Sequence, residues 1–242
     1  MLEAKELTYV VDQKKLIHSV SLTFYPKKFY GILGENGAGK STLLKLLSKI
    51  WTPSQGVVRW EGEELHKKNR SSISRLISLV PQTTDIPFDF SVEEVVYMGR
   101  HPHDEKIVRS DLLFWALNTV DAWHLKTRLI TSLSQGEKQR VIIARALMTE
   151  APILLLDEPA SSLDLRHQLE IWNLMKELSQ KGKLIIATNH DIALTRRFCD
   201  EVIVLKKGEA IAQGPTKTTL TQRLIEEVFG IKERENVFEL IY

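Results

Sequence analysis

The sequence predicts an α/β fold: a mostly parallel sheet covered by helices on both faces, with a block of helices inserted into the alternation. Three observations carry this. Residues 153–156 (Ile-Leu-Leu-Leu) and 184–187 (Leu-Ile-Ile-Ala) are apolar throughout, as strands buried on both faces are. Helical patterns follow each of them. From about residue 91 to 148 the patterning is helical with no strand between.

The elements follow in order. Leu7, Tyr9 and Val11 alternate with polar residues, residues 20–25 alternate again, and Pro26-Lys27-Lys28 reads as a turn. Residues 29–33 form a short buried strand that runs into Gly34-Glu35-Asn36-Gly37-Ala38-Gly39. Leu43, Leu44, Leu46 and Leu47 then mark a helix over 41–50, and Val57-Val58-Arg59-Trp60 before Glu61-Gly62 predicts a hairpin. Ser91 with Glu94, and Ser134 with Glu137, have capping-box spacing and open two helices; residues 112–120 form another between them. Beyond the strand at 153–156, residues 168–178 are an amphipathic helix. Asp191 caps a helix through Phe198, and residues 202–214 form a hairpin turning at Lys207-Gly208.

The strongest chemical signal is Gly34-x-x-x-x-Gly39-Lys40-Ser41, between a strand and a helix. Glycines let backbone N–H groups wrap around phosphate oxygens, and the helix N-terminus faces negative charge. Lys40 can reach the β- and γ-phosphates; Ser41, with Thr42 beside it, can offer a hydroxyl to Mg²⁺. The second signal is Asp157-Glu158-Pro159 at the end of an apolar strand. A carboxylate pair there is costly unless a cation or hydrogen bonds meet it. Asp157 is placed to hold Mg²⁺ through water, and Glu158 to orient or deprotonate the attacking water. The third is Leu133-Ser134-Gln135-Gly136-Glu137, a capped helix N-terminus that can also serve as a phosphate site.

In this order, residues 34–42, Gln82, 133–139, Asp157-Glu158 and His190 resemble the nucleotide-binding subunit of an ABC transporter, over nearly the whole chain. The resemblance implies a P-loop NTPase (RecA-like) core with an antiparallel β subdomain and an inserted α-helical subdomain, the core over about 1–85 and 150–242 and the helical part over about 86–149. It implies ATP and Mg²⁺ as cofactors and a head-to-tail pair of copies around two nucleotides, with Ser134 and Gly136 reaching the ATP held by the other copy. Gln82 would contact Mg²⁺ and the attacking water, His190 would bind the γ-phosphate and support Glu158, and Tyr9 would stack on adenine. Ser162-Leu163-Asp164 resembles the family's D-loop at the dimer contact. Gln135 and Glu137 depart from the family's Leu-Ser-Gly-Gly-Gln, but the serine and second glycine remain, so function is expected to survive.

Residues 96–103 resemble the segment after the Q-loop in ATPases of importers for iron–siderophore complexes, haem and vitamin B12. So does the C-terminal stretch 220–230, with Glu226, Val228 and Phe229 in a short helix stopped by Gly230. The implied partners are polytopic membrane permease subunits and, indirectly, a substrate-binding protein; the implied location is peripheral, at the cytoplasmic face of the inner (cell) membrane. The alternative is a soluble ABC-type ATPase, such as one for iron–sulfur assembly.

Bulk properties agree. A chain of 242 residues can bury a substantial core, and a net charge of +2 makes no case for nucleic acid. One cysteine, Cys199, rules out an internal disulfide. The first six residues are too polar for a signal peptide, and no stretch approaches the ~18 apolar residues of a membrane span. His101 and His103 lack acidic or cysteine partners, so a solvated loop is expected there rather than a metal site.

Overall fold

The computed structural model describes residues 1–84, 86–103, 109–161 and 163–230. Four strands, β1 (Leu2–Val11), β2 (Lys14–Phe24), β4 (Gln55–Trp60) and β5 (Glu63–Glu64), make an antiparallel sheet in the order β2-β1-β4-β5. Six more, β3 (Phe29–Leu33), β6 (Ile77–Val80), β7 (Ile153–Leu156), β8 (Leu184–Asn189), β9 (Glu201–Lys206) and β10 (Glu209–Pro215), make a second sheet in the order β10-β9-β3-β8-β7-β6. Only β10 is antiparallel to its neighbour in that sheet. Every residue of β3, β7 and β8 is buried, which is why β3 and β7, and β8 up to Thr188, read as apolar runs.

The two faces of the parallel sheet serve two cores, because successive side chains along a strand point to opposite sides. Phe29, Leu154 and Ile185 join one core; Tyr30, Leu155 and Ile186 join the other. The first core is covered by α5 (Gln135–Leu147), α6 (Leu165–Gln180) and α7 (Ile192–Phe198), and extends into α3 (Val92–Tyr97) and α4 (Ser110–Thr119). Trp172 of α6 stacks on Phe29 at 5.2 Å. The second core is filled by α1 (Lys40–Leu47), α2 (Arg70–Leu76) and the antiparallel sheet, through Leu7, Ile17, Phe24, Leu43 and Leu47. Beyond β10 come α8 (Thr216–Thr219) and α9 (Gln222–Phe229); α9 lays Ile225 and Val228 against Leu33, Val202 and Val204.

Between β6 and β7 the described residues hold helices and turns but no strand. Both capping boxes form there: Ser91 and Ser134 each accept from the backbone N–H three residues on, and Glu94 and Glu137 each reach back to the cap N–H. Glu61 (φ 51°) with Gly62 (φ 83°), and Lys207 (φ 48°) with Gly208 (φ 83°), make the two expected hairpin turns. Gly230 ends α9 in the left-handed conformation.

One local feature is absent from the sequence reading and one departs from it. Residues 70–80, which carry no strong pattern, fold as α2 and β6; α2 buries only Ile73, and its clearest local cue is Asn69, whose side chain accepts from Ser72 N–H at 2.8 Å. Residues 98–103, expected as a solvated loop, form a 3₁₀ turn packed between α2 and α5. The turn is tied down on both sides: His103 Nε2 meets Thr149 O at 2.9 Å, and Pro102 O accepts from Ser71 Oγ and Arg75 Nε. Among the described residues no helix is long and apolar enough to cross a membrane.

Candidate active site

Register decides what meets at the edge of the parallel sheet. Leu33 lies beside Asn189, Leu156 beside Ala187, and Val80 beside Leu156. The C-terminal ends of β3, β8, β7 and β6 therefore stand close to level. The residues that follow, Gly34, His190, Asp157-Glu158 and Gln82, emerge on one rim. Together with residues 35–37 and 39–42 they border a cleft of about 840 Å³; Asp157 sits just behind it.

The loop from β3 to α1 has tight backbone demands. Gly39 caps α1 at φ 101°, and a Cβ there would lie 3.0 Å from Leu16 O. At Gly34 a Cβ would lie 2.4 Å from Leu205 O, so backbone passes where a side chain cannot. No side chain caps α1, whose N-terminus opens on the cleft. Ala38 is buried, and its carbonyl accepts from Gly208 N–H, which fixes the loop to the β9–β10 turn.

Lys40 is only 5% exposed. Its Nζ donates to Gly34 O at 2.8 Å and Glu35 O at 3.3 Å, and lies 3.8 Å from Glu158 Oε1. Burial pushes this ammonium below the ordinary lysine range, while the Glu158 and Asp157 carboxylates oppose that shift. Ser41 Oγ donates to Asp157 Oδ1 at 3.0 Å. Glu158 sits in the left-handed region at φ 47°, a conformation that costs a non-glycine residue roughly 1–2 kcal/mol. Its Oε2 accepts from Gln82 Nε2 at 3.0 Å and lies 4.0 Å from His190 Nδ1. The site thus pairs a buried cation with a carboxylate flanked by an amide and an imidazole.

Ser41, Asp157 and Gln82 supply hard oxygen donors, the set that suits Mg²⁺ shared with phosphates. Among the described residues no group of three His, Cys, Asp or Glu could cage a metal ion. Ser134 and Gly136, at the N-terminus of α5, are not among the residues bordering this chain's own cleft.

Residues 17–161 match the family model described as ABC transporter. The chain belongs to the ABC transporter family. Its relatives include the ferric enterobactin transport ATP-binding protein of Escherichia coli K12, at 33% identity over 96% of this chain and 88% of that protein. The hemin import ATP-binding protein of Pseudomonas entomophila is 36% identical over 96% of this chain and 93% of its own length. The cobalamin import ATP-binding protein of Halobacterium salinarum is also 36% identical, but the chain spans only 56% of its length. Among solved structures, an inward-facing metal-chelate type ABC transporter superposes with a TM-score of 0.83 at 29% identity, covering 95% of this chain and 89% of that one. A dimeric post-hydrolysis ATP-binding cassette bound to ADP and Pi gives 0.80 at 26% identity, covering 89% and 99%. The α/β class with an antiparallel sheet and a helical insert, read from the sequence, is the fold of these cassettes.

One residue expected at the site lies elsewhere. Tyr9 does not face the cleft; its ring stacks on Trp51 at 5.2 Å and 11° and packs against the second core. The sequence shows the strand alternation but not that Trp51, from the turn after α1, fills the space beside this ring. The cleft wall instead takes Lys14 and Leu16 from β2 and Phe229 from α9. Nothing local marks these residues, because β2 and α9 reach the loop only through the fold. Thr188, which no sequence motif marks, is buried in β8 and bonds to both Asp157 and Glu158. Of the Ser162-Leu163-Asp164 stretch, Ser162 lies outside the described residues; Leu163 packs against the first core and Asp164 caps α6.

Proposed function

We propose that this chain binds and hydrolyses ATP between two copies of itself and so powers a membrane importer. The cargo class is a metal chelate or corrinoid: an iron–siderophore complex, haem or cobalamin. The observation that carries the reading is Glu158, held between Gln82 and His190 and opposite Lys40 across one cleft. The names of the relatives support the cargo class.

ATP lies with its phosphates over the N-terminus of α1, where Lys40 leaves the Gly34 and Glu35 carbonyls to meet the terminal phosphates. Ser41, Asp157 and Gln82 would hold Mg²⁺, which would supply neutralisation of phosphate charge. Glu158 orients the attacking water and takes its proton, with Gln82 and His190 fixing the carboxylate on either side. Ser134 Oγ and Gly136 N–H complete the γ-phosphate shell from the opposite copy; the positive end of the α5 dipole favours an anion there. Gln135 and Glu137 depart from the family pattern while the serine and second glycine remain, and Glu137 bonds its own cap N–H at 2.8 Å.

The permease is proposed to dock in a second cavity, of about 740 Å³, where the β6 side of the core meets the helical lobe. Ile50, Ile73 and Leu79 line it from the core, and Met98 and Arg145 from the lobe. Since β6 leads directly into Gln82, a contact here can report on the nucleotide site. On this reading the chain sits peripherally on the cytoplasmic face of the membrane. The test is to tag the Glu158→Gln chain, which should bind ATP yet turn over almost none, and identify what co-purifies from native membranes with ATP and Mg²⁺. A polytopic membrane protein at equal stoichiometry supports the importer. A soluble partner instead moves the reading to a cytosolic ABC ATPase, and wild-type turnover in Glu158→Gln removes Glu158 from the mechanism.

A further inference from the structure

We propose that Thr188 is a positioning residue for hydrolysis, its one hydroxyl setting both the Glu158 backbone and the Asp157 carboxylate. The inference rests on the ATPase reading above. Thr188 is fully buried, on a strand whose other residues are also buried. A hydroxyl in such a place is costly unless its hydrogen bonds are made. Both are made toward the active site: Thr188 Oγ1 donates to Asp157 Oδ1 at 2.7 Å and accepts from Glu158 N–H at 2.9 Å.

The second bond matters because of where it lands. Glu158 is held at φ 47°, immediately before Pro159, which lacks an N–H of its own. A left-handed non-glycine residue persists only where its surroundings over-determine it. Ser161 N–H and Oγ bond the Glu158 carbonyl, and the Glu158 N–H is anchored by the hydroxyl on β8, supplied because Leu156 and Ala187 are paired and Thr188 therefore stands next to Asp157. The first bond extends the network: Asp157 Oδ1 also accepts from Ser41 Oγ at 3.0 Å. One line of contacts thus runs Ser41–Asp157–Thr188–Glu158, from the end of α1 to the base that faces Gln82. Thr188 also lies two residues before His190 on the same strand end, so β8 orients Glu158 from beneath while presenting His190 beside its carboxylate.

Thr188→Val keeps the shape and deletes both bonds. Glu158 N–H is then left without a partner, and the turn loses that anchor. Thr188→Ser restores both bonds with a smaller side chain. The experiment measures kcat, KM, ATP affinity and melting temperature for the wild type, Thr188→Val, Thr188→Ser and Glu158→Gln as full chains. Thr188→Val is expected to lose about ten- to a hundredfold in kcat, as small misplacements of a catalytic group do, with ATP affinity within about threefold of wild type. Thr188→Ser should recover kcat to within about threefold, showing that the hydroxyl and not the packing is responsible. If Thr188→Val folds poorly, Thr188→Cys, a close fit with a weak donor, serves in its place and should show the same kcat loss.

Any of three results overturns the proposal: kcat in Thr188→Val or Thr188→Cys within about twofold of wild type; a loss that serine does not rescue; or a loss matched by an equal loss of ATP affinity. A wild-type chain without Mg²⁺-dependent hydrolysis fails the ATPase reading instead. Wild-type turnover that Glu158→Gln abolishes and Thr188→Val leaves intact strikes this inference alone.

Discussion

Lys40→Met should separate the cost of burying a charge from the benefit of using it. In the nucleotide-free chain the Lys40 ammonium is buried and its pKa depressed, so its desolvation works against the folded state. Methionine keeps most of the stem and removes that cost. The nearby carboxylates do not lose their other partners: Glu158 keeps Gln82, and Asp157 keeps Ser41 and Thr188. The Gly34 and Glu35 carbonyls border an open cleft where water can replace the lysine. Stability without ligand should therefore change by no more than about 1 kcal/mol.

Nucleotide binding should respond differently. At about 4 Å and an effective dielectric of about 20, attraction between Lys40 and one phosphate charge is roughly 4 kcal/mol. Lys40 gives up two carbonyl bonds to make that contact: the 2.8 Å bond to Gly34 O, about 1.5 kcal/mol, and the longer 3.3 Å bond to Glu35 O, about 0.5 kcal/mol. The net of about 2 kcal/mol corresponds to an affinity loss of about 30-fold. A non-hydrolysable ATP analogue at about 100 times the wild-type Kd should stabilise the wild type by about 2.7 kcal/mol, or roughly 5–11 °C in Tm. At that concentration Lys40→Met should gain only about 0.9 kcal/mol, or roughly 2–3 °C. Thermal melts with and without the analogue measure both quantities. Equal ligand-induced shifts, or a ligand-free variant melting more than about 5 °C below wild type, would refute the reasoning.

Three further outcomes follow from the same geometry. Tyr9→Ala should lose the stack on Trp51, about 0.5–1.5 kcal/mol beyond the lost burial, and leave ATP affinity within about twofold; a large affinity loss would return Tyr9 to the site. Ser134→Ala should cost about 1 kcal/mol through the cap of α5. Its hydrolysis should fall further than stability explains, and a rate unaffected at high protein concentration would exclude Ser134 from the shared site. Glu137 is held below the ordinary carboxylate value of 4.5 by its bonds to the Ser134 backbone and side chain. A depressed folded pKa contributes stability that is present above that ordinary value and lost as pH falls through the folded one. Wild type should thus exceed Glu137→Ala in denaturation midpoint at pH 7, with the gap closing in acid; a gap that persists at the lowest pH would contradict the carboxylate cap.

Much of the site is legible from the sequence because its parts are local. The loop at 34–42 combines glycines, a lysine and hydroxyls in one contiguous run. The acidic pair stands at the end of a plainly apolar strand. Capping boxes at Ser91 and Ser134 each close within four residues, so their spacing alone reports them. The element 70–80 was hard to read because α2 buries a single residue and β6 is four residues long, too little for a periodic signal.

By itself, then, the sequence determined the strands and helices with a strong period, their caps and turns, and the residues able to hold a phosphate. These depend on neighbours a few positions apart. The tertiary structure alone decided that β3 lies between β8 and β9, so that Gly34, His190, Glu158 and Gln82 share one rim. It also turned Tyr9 onto Trp51, brought Phe229 to the cleft and set Thr188 against Asp157 and Glu158. The physical reason is that strand order and register are fixed by burying apolar faces contributed from distant parts of the chain. A threonine in an apolar strand carries no mark of the carboxylate that register will place beside it.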